Sequence, residues 1–270
     1  MIGGCGGKSA PPAVAGLKVD RFDRDRAFAD LRHQVELGPR PAKSPAARKL
    51  ARWLKGQLPH GRIEKVRGGY ENVVGRIGAR RGKAIVLAAH YDTKDQPGFV
   101  GANDGAGGTA GVLEIARALR DVKGLPPIRL VLFDGEESPD DNADFYTTGL
   151  RGSRPYARRH ARQTRAMILL DFIAEKGAMR IPRESSSNLE LWSRLRSAAA
   201  GAGVGSYFPD SSDVEVEDDH TPFLQRDIPS INLIDWDFPC WHKTCDNLSA
   251  VSEQSLDASG EAVTGLLATL

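Results

Sequence analysis

The sequence predicts an α/β fold in which a mostly parallel, largely buried β-sheet is covered by helices. Two observations support this prediction. Short apolar and β-branched runs alternate with helical stretches from Tyr70 onward, and a chain of 270 residues with 40% hydrophobic residues can bury one large core. We predict strands over residues 72–77, 84–89, 128–133, 166–170 and 230–234.

Helices are predicted on both sides of these strands in the sequence. Residues 23–37 and 44–58 are amphipathic, and the second segment places Leu50, Trp53 and Leu54 on one face. The segment Gly38-Pro39-Arg40-Pro41 is predicted to be a linker between them. Residues 107–122 are predicted to form a crossover helix between two strands, and 190–200 and 253–270 to form outer helices.

The first residues differ in composition from the rest. Residues 1–18 are rich in small residues and proline, and we expect a flexible tail there, followed by one catalytic domain over 19–270. The stretch before Cys5 is similar to a lipoprotein cleavage site, which raises a lipid anchor as an alternative to a simple glycine-rich tail. On this basis we expect export, periplasmic or lipid-anchored, rather than a cytoplasmic location. No apolar stretch approaches the ~20 residues of a membrane span.

The charge balance argues against nucleic acid as a partner. The chain has 37 basic and 35 acidic residues, a net charge of +2, so it has no global field that would attract a phosphate backbone. The densest basic run lies within residues 151–165. Because no aromatic residues alternate with its arginines, we interpret it as a solvated helix face.

The apolar runs end in groups that can bind a metal. The predicted strands are followed by His90, Asp134, Asp171 and Asp235, and the carboxyl ends of parallel strands form the ligand crevice of an open α/β sheet. Burying several carboxylates together costs several kcal/mol each unless a cation neutralises them. The sequence therefore predicts a metal site at this edge.

Further candidate ligands lie in the loops. Asp104 stands in a glycine-rich loop that lacks a Walker lysine, and we interpret it as a metal ligand with small neighbours; capping of the following helix is the alternative. Of the adjacent Glu136 and Glu137, one can bind a metal while the other transfers protons. His242 completes a nitrogen and oxygen set suited to zinc. Whether the nearby Cys240 and Cys245 are bridged or are free thiols stays open.

These residues form an ordered set of motifs. From about residue 84 to the C-terminus, AHYD, GANDGAGG, FDGEE, LLD, DDHTPF and WH resemble the zinc aminopeptidase superfamily that includes the glutaminyl cyclases. The resemblance implies a mixed sheet between helices, a zinc exopeptidase or phosphorylase/hydrolase-like architecture. It also implies that the substrates are peptide or protein N-termini.

The two branches of the superfamily imply different numbers of zinc ions. In the aminopeptidase branch, Asp104 would bridge two zincs, with His90 and Asp171 on one and Glu137 and His242 on the other. In the cyclase branch, one zinc would be bound by Asp104, Glu137 and His242. Glu136 is then either the base that activates water or the group that carries a proton from the substrate amine to ammonia. Asp92 would orient His90 from behind.

Three details resemble the cyclases. Asp218 adds an acid before the DH pair, which would join Asp171 and Glu136 in a chain of hydrogen-bonded carboxyls. Phe238 and Trp241 resemble the aromatic residues that wall the glutamine pocket, and Gly152-Ser153-Arg154 resembles the cyclase GSR. Two details differ. Residues 138–148 contain no tryptophan, so Phe145 or Tyr146 would have to replace it, and Asn232 stands where animal cyclases tend to have histidine.

We therefore predict a zinc-dependent glutaminyl-peptide cyclotransferase that forms pyroglutamyl peptides and releases ammonia. A two-zinc aminopeptidase is the alternative. A third possibility, an inactive binding module of the same fold, should have lost a ligand or Glu136, and the sequence retains all of them.

Overall fold

The sheet is mixed, as predicted, and has six strands in the described residues, one more than the five predicted. The computed structural model describes residues 20–140 and 142–270. The strands are β1 (Arg62–Val66), β2 (Tyr70–Ile77), β3 (Ala84–His90), β4 (Ile128–Phe133), β5 (Thr164–Leu170) and β6 (Ser230–Leu233). Their spatial order is β1-β2-β4-β3-β5-β6. Strands β4, β3, β5 and β6 are parallel to one another, whereas β1 pairs antiparallel with β2, and β2 pairs antiparallel with β4. The predicted fold class is confirmed.

The described residues contain eight α-helices, and the five that were predicted with bounds begin and end close to the predicted positions. They are α1 (Arg24–Glu36), α2 (Pro45–Gln57), α3 (Gly108–Ala118), α4 (Phe145–Thr148), α5 (Ser153–His160), α6 (Leu189–Gly201), α7 (Thr221–Leu224) and α8 (Glu253–Thr269). The starts of α1, α2 and α8 follow from capping, because Asp23, Ser44 and Ser252 each accept a hydrogen bond from a backbone N–H of the first turn.

Two hydrophobic cores cover the two faces of the sheet. Strand β3 sends Ile85 and Leu87 into the larger core, which also contains apolar residues of α1, α2, α3, α6 and α8. Val86 and Ala88 point into the smaller core, against Tyr156 of α5 and Phe223 of α7. Burial on both faces explains why β3 is apolar along nearly its whole length rather than alternating.

Strand β1 was not predicted. Three of its five residues are charged, so it lacks the apolar pattern of a strand. It forms by pairing antiparallel with β2 at the edge of the sheet. Its buried Glu64 accepts hydrogen bonds from Arg159 at 2.8 Å and from Arg62 at 3.4 Å. Arg159 is distant from Glu64 in sequence, and the bond to Arg62 does not show in the apolar pattern, so neither could be used to predict the strand.

The tail predicted over 1–18, including Cys5, lies outside the described residues. Within 20–140 and 142–270, no helix is both long enough and apolar enough to cross a membrane. The single catalytic domain over 19–270 stays a prediction.

Candidate active site

Three neighbouring parallel strands bring their last residues to one edge of the sheet. His90 ends β3, Asp171 follows β5, and Glu136 lies three residues after β4. Because β3 lies between β4 and β5, these side chains meet in the middle of the carboxyl edge, where an α/β sheet forms its ligand crevice.

Asp104 reaches this edge from a tight turn before α3. Residues Ala102–Gly107 form a π-helical turn, within which Gly105 has φ +86°. A Cβ at Gly105 would lie 3.2 Å from the His90 ring, so this position requires glycine for its conformation and for space. Asp104 accepts no capping hydrogen bond at the start of α3, where the N-cap is Gly107 without a side-chain partner. Capping therefore does not explain Asp104.

The two carboxylate oxygens of Asp104 face two different groups of side chains. Oδ1 lies 3.2 Å from His90 Nε2, which is 3.4 Å from Asp171 Oδ1. Oδ2 lies 3.6 Å from His242 Nε2, which is 3.5 Å from Glu137 Oε2. Each group brings three potential ligand atoms within 4.8 Å of one another. Both predicted ligand sets are thus assembled, with Asp104 common to them.

The spacing and the unsatisfied atoms fit zinc. With Zn–O and Zn–N bonds of about 2.0–2.1 Å, tetrahedral ligand atoms lie about 3.3 Å apart, and the separations above are 3.2–3.6 Å. Asp104 Oδ2 and both Glu137 oxygens are buried without a hydrogen-bond partner in the described part of the chain. Burial raises the pKa of Glu137 well above its ordinary value, and the charge of Asp104 raises it further. A cation would remove this cost.

Asp92 holds the turn that carries the paired glutamates. Its Oδ1 accepts a hydrogen bond from the backbone N–H of Glu136 at 3.2 Å, and its Oδ2 accepts one from that of Glu137 at 3.3 Å. Its distance to His90 Nδ1 is 3.7 Å, longer than a hydrogen bond. Asp92 therefore fixes the glutamate backbone directly and acts on His90 mainly through its charge.

Glu136, Asp171 and Asp218 share one buried cavity. Burial raises the pKa of Asp171 to about 7, with repulsion from Asp218 adding to the shift. Burial, with repulsion from Glu137 and Asp218, raises the pKa of Glu136 well above its ordinary value. Repulsion between these carboxyls contributes to both shifts, and the predicted hydrogen-bonded chain among the three stays a prediction.

Asn232 binds the third acid. Its Nδ2 donates a hydrogen bond to Asp218 Oδ2 at 2.7 Å, and the backbone N–H of Asp219 donates one to Asp218 Oδ1. An amide cannot change its charge in the accessible pH range, whereas a histidine at this position could. The difference from animal cyclases therefore leaves Asp218 oriented but without a titratable neighbour at 232.

The cleft over these carboxyls has a volume of about 680 Å³ and an aromatic wall. Trp241 stacks on His242 with ring centroids 4.3 Å apart, and Trp236 lies 5.2 Å from Trp241. Phe145 also lines the cleft, whereas Tyr146 is absent from the lining and donates its hydroxyl to Gln225. Of the two aromatic residues proposed for the missing tryptophan, Phe145 is the one in the pocket.

Phe238 occupies a different place from the one predicted. It is buried behind the wall, 5.9 Å from the ring of Phe172, and it is Phe172 that lines the cleft. Phe172 has φ +39°, an uncommon left-handed conformation that follows Asp171 directly. Sequence spacing alone gave no sign that this phenylalanine would face the pocket.

The segment around His242 has two unusual features, a disulfide and a left-handed backbone conformation. Cys240 and Cys245 form a disulfide that closes the loop containing His242, which answers the question that the sequence left open. His242 itself has φ +50°, a conformation that side chains other than glycine rarely adopt and that occurs most often at functional positions.

Two of the three strand-end acids lie outside the site. Asp134 Oδ2 accepts a hydrogen bond from the backbone N–H of Glu71, and burial raises the pKa of Asp134 to about 7. Asp235 accepts one from the backbone N–H of Arg180 at 3.2 Å. Neither belongs to a candidate metal group within the described residues.

Three residues that support the site were missed. Arg40 is completely buried and donates hydrogen bonds to five backbone carbonyls, including those of Val100 and Gly101 before the Asp104 turn. Asp246 accepts hydrogen bonds from the N–H groups of Asn103 and Asp104. Lys94 is buried with its Nζ 3.6 Å from Glu137 Oε2. For Asp246, the signal was an acid four residues after His242.

Comparison with known proteins agrees with this geometry. The family model described as peptidase family M28 matches residues 72–267, which contain every candidate ligand. The chain belongs to peptidase family M28. The resemblance seen in the motifs is thereby confirmed at the level of the family.

Similar proteins connect this M28 protein to glutaminyl cyclases. A Drosophila melanogaster glutaminyl-peptide cyclotransferase is 27% identical over 221 residues, 70% of this chain and 61% of the relative, so the chain spans about three fifths of that curated protein. The structure of Porphyromonas gingivalis glutaminyl cyclase is 29% identical, with a TM-score of 0.79, and the match covers 92% of this chain and 98% of the other.

A third similar structure is a Zn-dependent exopeptidase from Parabacteroides distasonis. It is 25% identical, with a TM-score of 0.80 over 93% of this chain and 99% of the other. The architecture is therefore common to M28 cyclases and exopeptidases, and zinc agrees with the ligand types present.

Proposed function

We propose that this M28 protein is a zinc-dependent glutaminyl-peptide cyclotransferase. The proposal is supported by the similarity to cyclases and rests most directly on Asp218, the additional buried acid beside Glu136 and Asp171. Several buried carboxyls that line one cleft repel one another when all are charged, which favours retention of a proton among them. A retained proton suits a reaction that moves one proton from an amine to a leaving ammonia.

One zinc is proposed, with Asp104, Glu137 and His242 as its ligands. When bound there, zinc would polarise the γ-amide carbonyl of an N-terminal glutamine. The same ligands would fix the position of the amide relative to Glu136, which is adjacent in sequence to Glu137 and whose backbone is held by Asp92.

Glu136 is proposed as the proton carrier. The substrate's α-amine attacks the γ-amide carbon, a new C–N bond closes the five-membered ring, and Glu136 accepts the proton from the amine. The bond to the amide nitrogen then breaks, and Glu136 returns the proton to the departing ammonia. Burial raises the pKa of Glu136 towards that of the amine, which lowers the cost of both transfers.

The remaining pocket residues would orient the substrate. Asp218 helps to keep the pKa of Glu136 high through its charge, and Asp171 lines the same cleft. Trp241, Trp236 and Phe172 offer aromatic surfaces to the methylene groups of the glutamine side chain and limit the access of water.

Two substrates and one variant test the proposal. The intact chain should release ammonia from a glutaminyl peptide and leave a leucyl anilide uncleaved, with about one zinc per chain. Glu136→Gln should lower kcat by at least about 10²-fold while zinc content is unchanged, because a general acid–base group is lost. Glu190→Gln, at an exposed position on α6, is the matched control. Anilide cleavage without ammonia release would show that the protein is an aminopeptidase instead.

A further inference from the structure

A second cavity lies at the opposite edge of the sheet from the candidate active site. Its volume is about 480 Å³, within the range of small-molecule sites. Ala84, at the start of β3, lines it, whereas His90 ends the same strand at the active site. At about 3.3 Å per residue the two sites are about 20 Å apart, so a ligand of this cavity would not touch the zinc ligands.

The lining of this cavity is cationic. Its basic side chains are His60, Arg62, Arg76, Arg80, Arg129 and His160. No aspartate or glutamate lines it in the described part of the chain. Glu64, which bonds with two of the lining residues, His160 at 3.1 Å and Arg62 at 3.4 Å, and with Arg159 at 2.8 Å, makes no bond to the remaining arginines of the lining.

Two of the arginines are placed directly opposite each other. Arg76 of β2 pairs in register with Arg129 of β4 in the antiparallel ladder. Like charges directly opposite in neighbouring strands destabilise a sheet. Arg129 is held by His160 and Gln163, whereas the side chains of Arg76 and Arg80 make no hydrogen bond or ion pair with any described residue. Arg76 and Arg80 are exposed, so solvent screens part of the repulsion, and their guanidinium groups can donate hydrogen bonds to a ligand.

We propose that this basic cavity binds a small multivalent oxyanion, a phosphate or sulfate group, either free or carried by a small molecule. The planar guanidinium groups of Arg76, Arg80 and Arg129 match the oxygens of such an anion, and its charge would remove the repulsion between the opposed arginines. Val74 and Tyr156 in the lining provide apolar surface for an organic part of the ligand.

Thermal unfolding of the intact chain tests the site with inorganic phosphate and sulfate as probes, titrated at constant ionic strength with sodium chloride. A saturable rise in Tm is expected, about 5 °C at a hundredfold excess over Kd. Arg76→Gln should weaken apparent phosphate affinity at least tenfold, and in phosphate-free buffer its Tm should equal or exceed that of the wild type, because the opposed charges are gone. Arg67→Gln, an exposed arginine outside the cavity, should respond like the wild type.

A nucleoside monophosphate separates the two sources of the anion. Tighter binding than phosphate would indicate a phosphorylated small molecule, and equal binding a free anion. The proposal fails if no saturable response occurs or if Arg76→Gln responds as the wild type does, which is also the result expected for phosphate bound at the zinc site. It fails as well if only a sulfated oligosaccharide binds, since the surface would then serve a macromolecular polyanion.

Discussion

Arg40 offers a sharp test of how the site is held together. Three of its hydrogen bonds, to the carbonyls of Val100, Gly38 and Gly101, are 2.7–3.2 Å long, and those to Gln34 and Tyr91 are 3.3–3.4 Å. Hydrogen bonds from a charged donor contribute about 1.5–3 kcal/mol each. We therefore expect the three shorter bonds to dominate.

Burial of the guanidinium offsets part of this gain. Burial lowers the pKa of Arg40 from 12.5 to about 10, against the opposing influence of Asp104, Asp246 and Asp92. At 1.36 kcal/mol per pKa unit, this corresponds to roughly 3 kcal/mol. Replacing Arg40 with methionine, which retains the apolar stem, should therefore reduce the free energy of unfolding by about 3 kcal/mol.

The assay is urea unfolding of the metal-free chain, combined with zinc affinity from a chelator competition. Arg40→Met should also weaken zinc binding about 10- to 100-fold, since Val100 and Gly101 lead into the Asp104 turn and supporting residues have effects of this size. Arg48→Met, an exposed arginine on α2, is the control. A change below about 0.5 kcal/mol with unaltered zinc affinity would refute this account of Arg40.

Two further predictions concern charge. Burial and the neighbouring carboxyl of Glu175 raise the pKa of Asp235 to about 9, against about 3.9 in the unfolded chain, so its contribution to stability is complete below about pH 4 and is lost as pH rises towards 9. The urea midpoint of Asp235→Asn minus that of the wild type should therefore increase from pH 6 to pH 9. A difference that does not change with pH would contradict the raised pKa. The exposed Glu215, Glu217 and Asp140 line the mouth of the cleft, where Lys243 is the exposed lysine among the lining residues. Because this rim is negatively charged, kcat/KM for a glutaminyl-arginyl peptide should exceed that for a glutaminyl-glutamyl peptide by roughly 3- to 10-fold at low salt. Glu217→Gln and 0.5 M salt should each reduce this ratio, and a ratio of one at low salt would exclude steering by the rim.

The elements of the fold could be predicted because their signals are local. Apolar runs and capping residues such as Ser44 act within a few positions of themselves, whereas the strand order is set by contacts between distant segments. That His90 and Asp171 lie at one edge could be predicted, because each stands at the end of an apolar run and the carboxyl ends of parallel strands share an edge. These parts of the site needed no knowledge of loop conformation.

The remaining parts depend on backbone geometry that a pattern does not carry. Asp134 and Asp171 both follow apolar strands, yet Asp134 turns to the backbone of Glu71 and only Asp171 joins the metal group. Phe172 lines the cleft in place of Phe238 because of its left-handed backbone. Arg40 lies in a segment that was predicted to be a linker. Its five acceptors are carbonyls of residues 34, 38, 91, 100 and 101, and the last three are distant in sequence.

Because Asp104 belongs to both ligand groups, occupancy of one group changes the affinity of the other. A cation on the side of His242 takes up the negative charge of Asp104, and the group around His90 and Asp171 is then left with less charge to attract a second cation. Binding of two cations would thus be negatively cooperative. The number of ions bound would then depend on free zinc concentration as well as on the ligand set, so the same ligands would be compatible with one-metal and with two-metal chemistry.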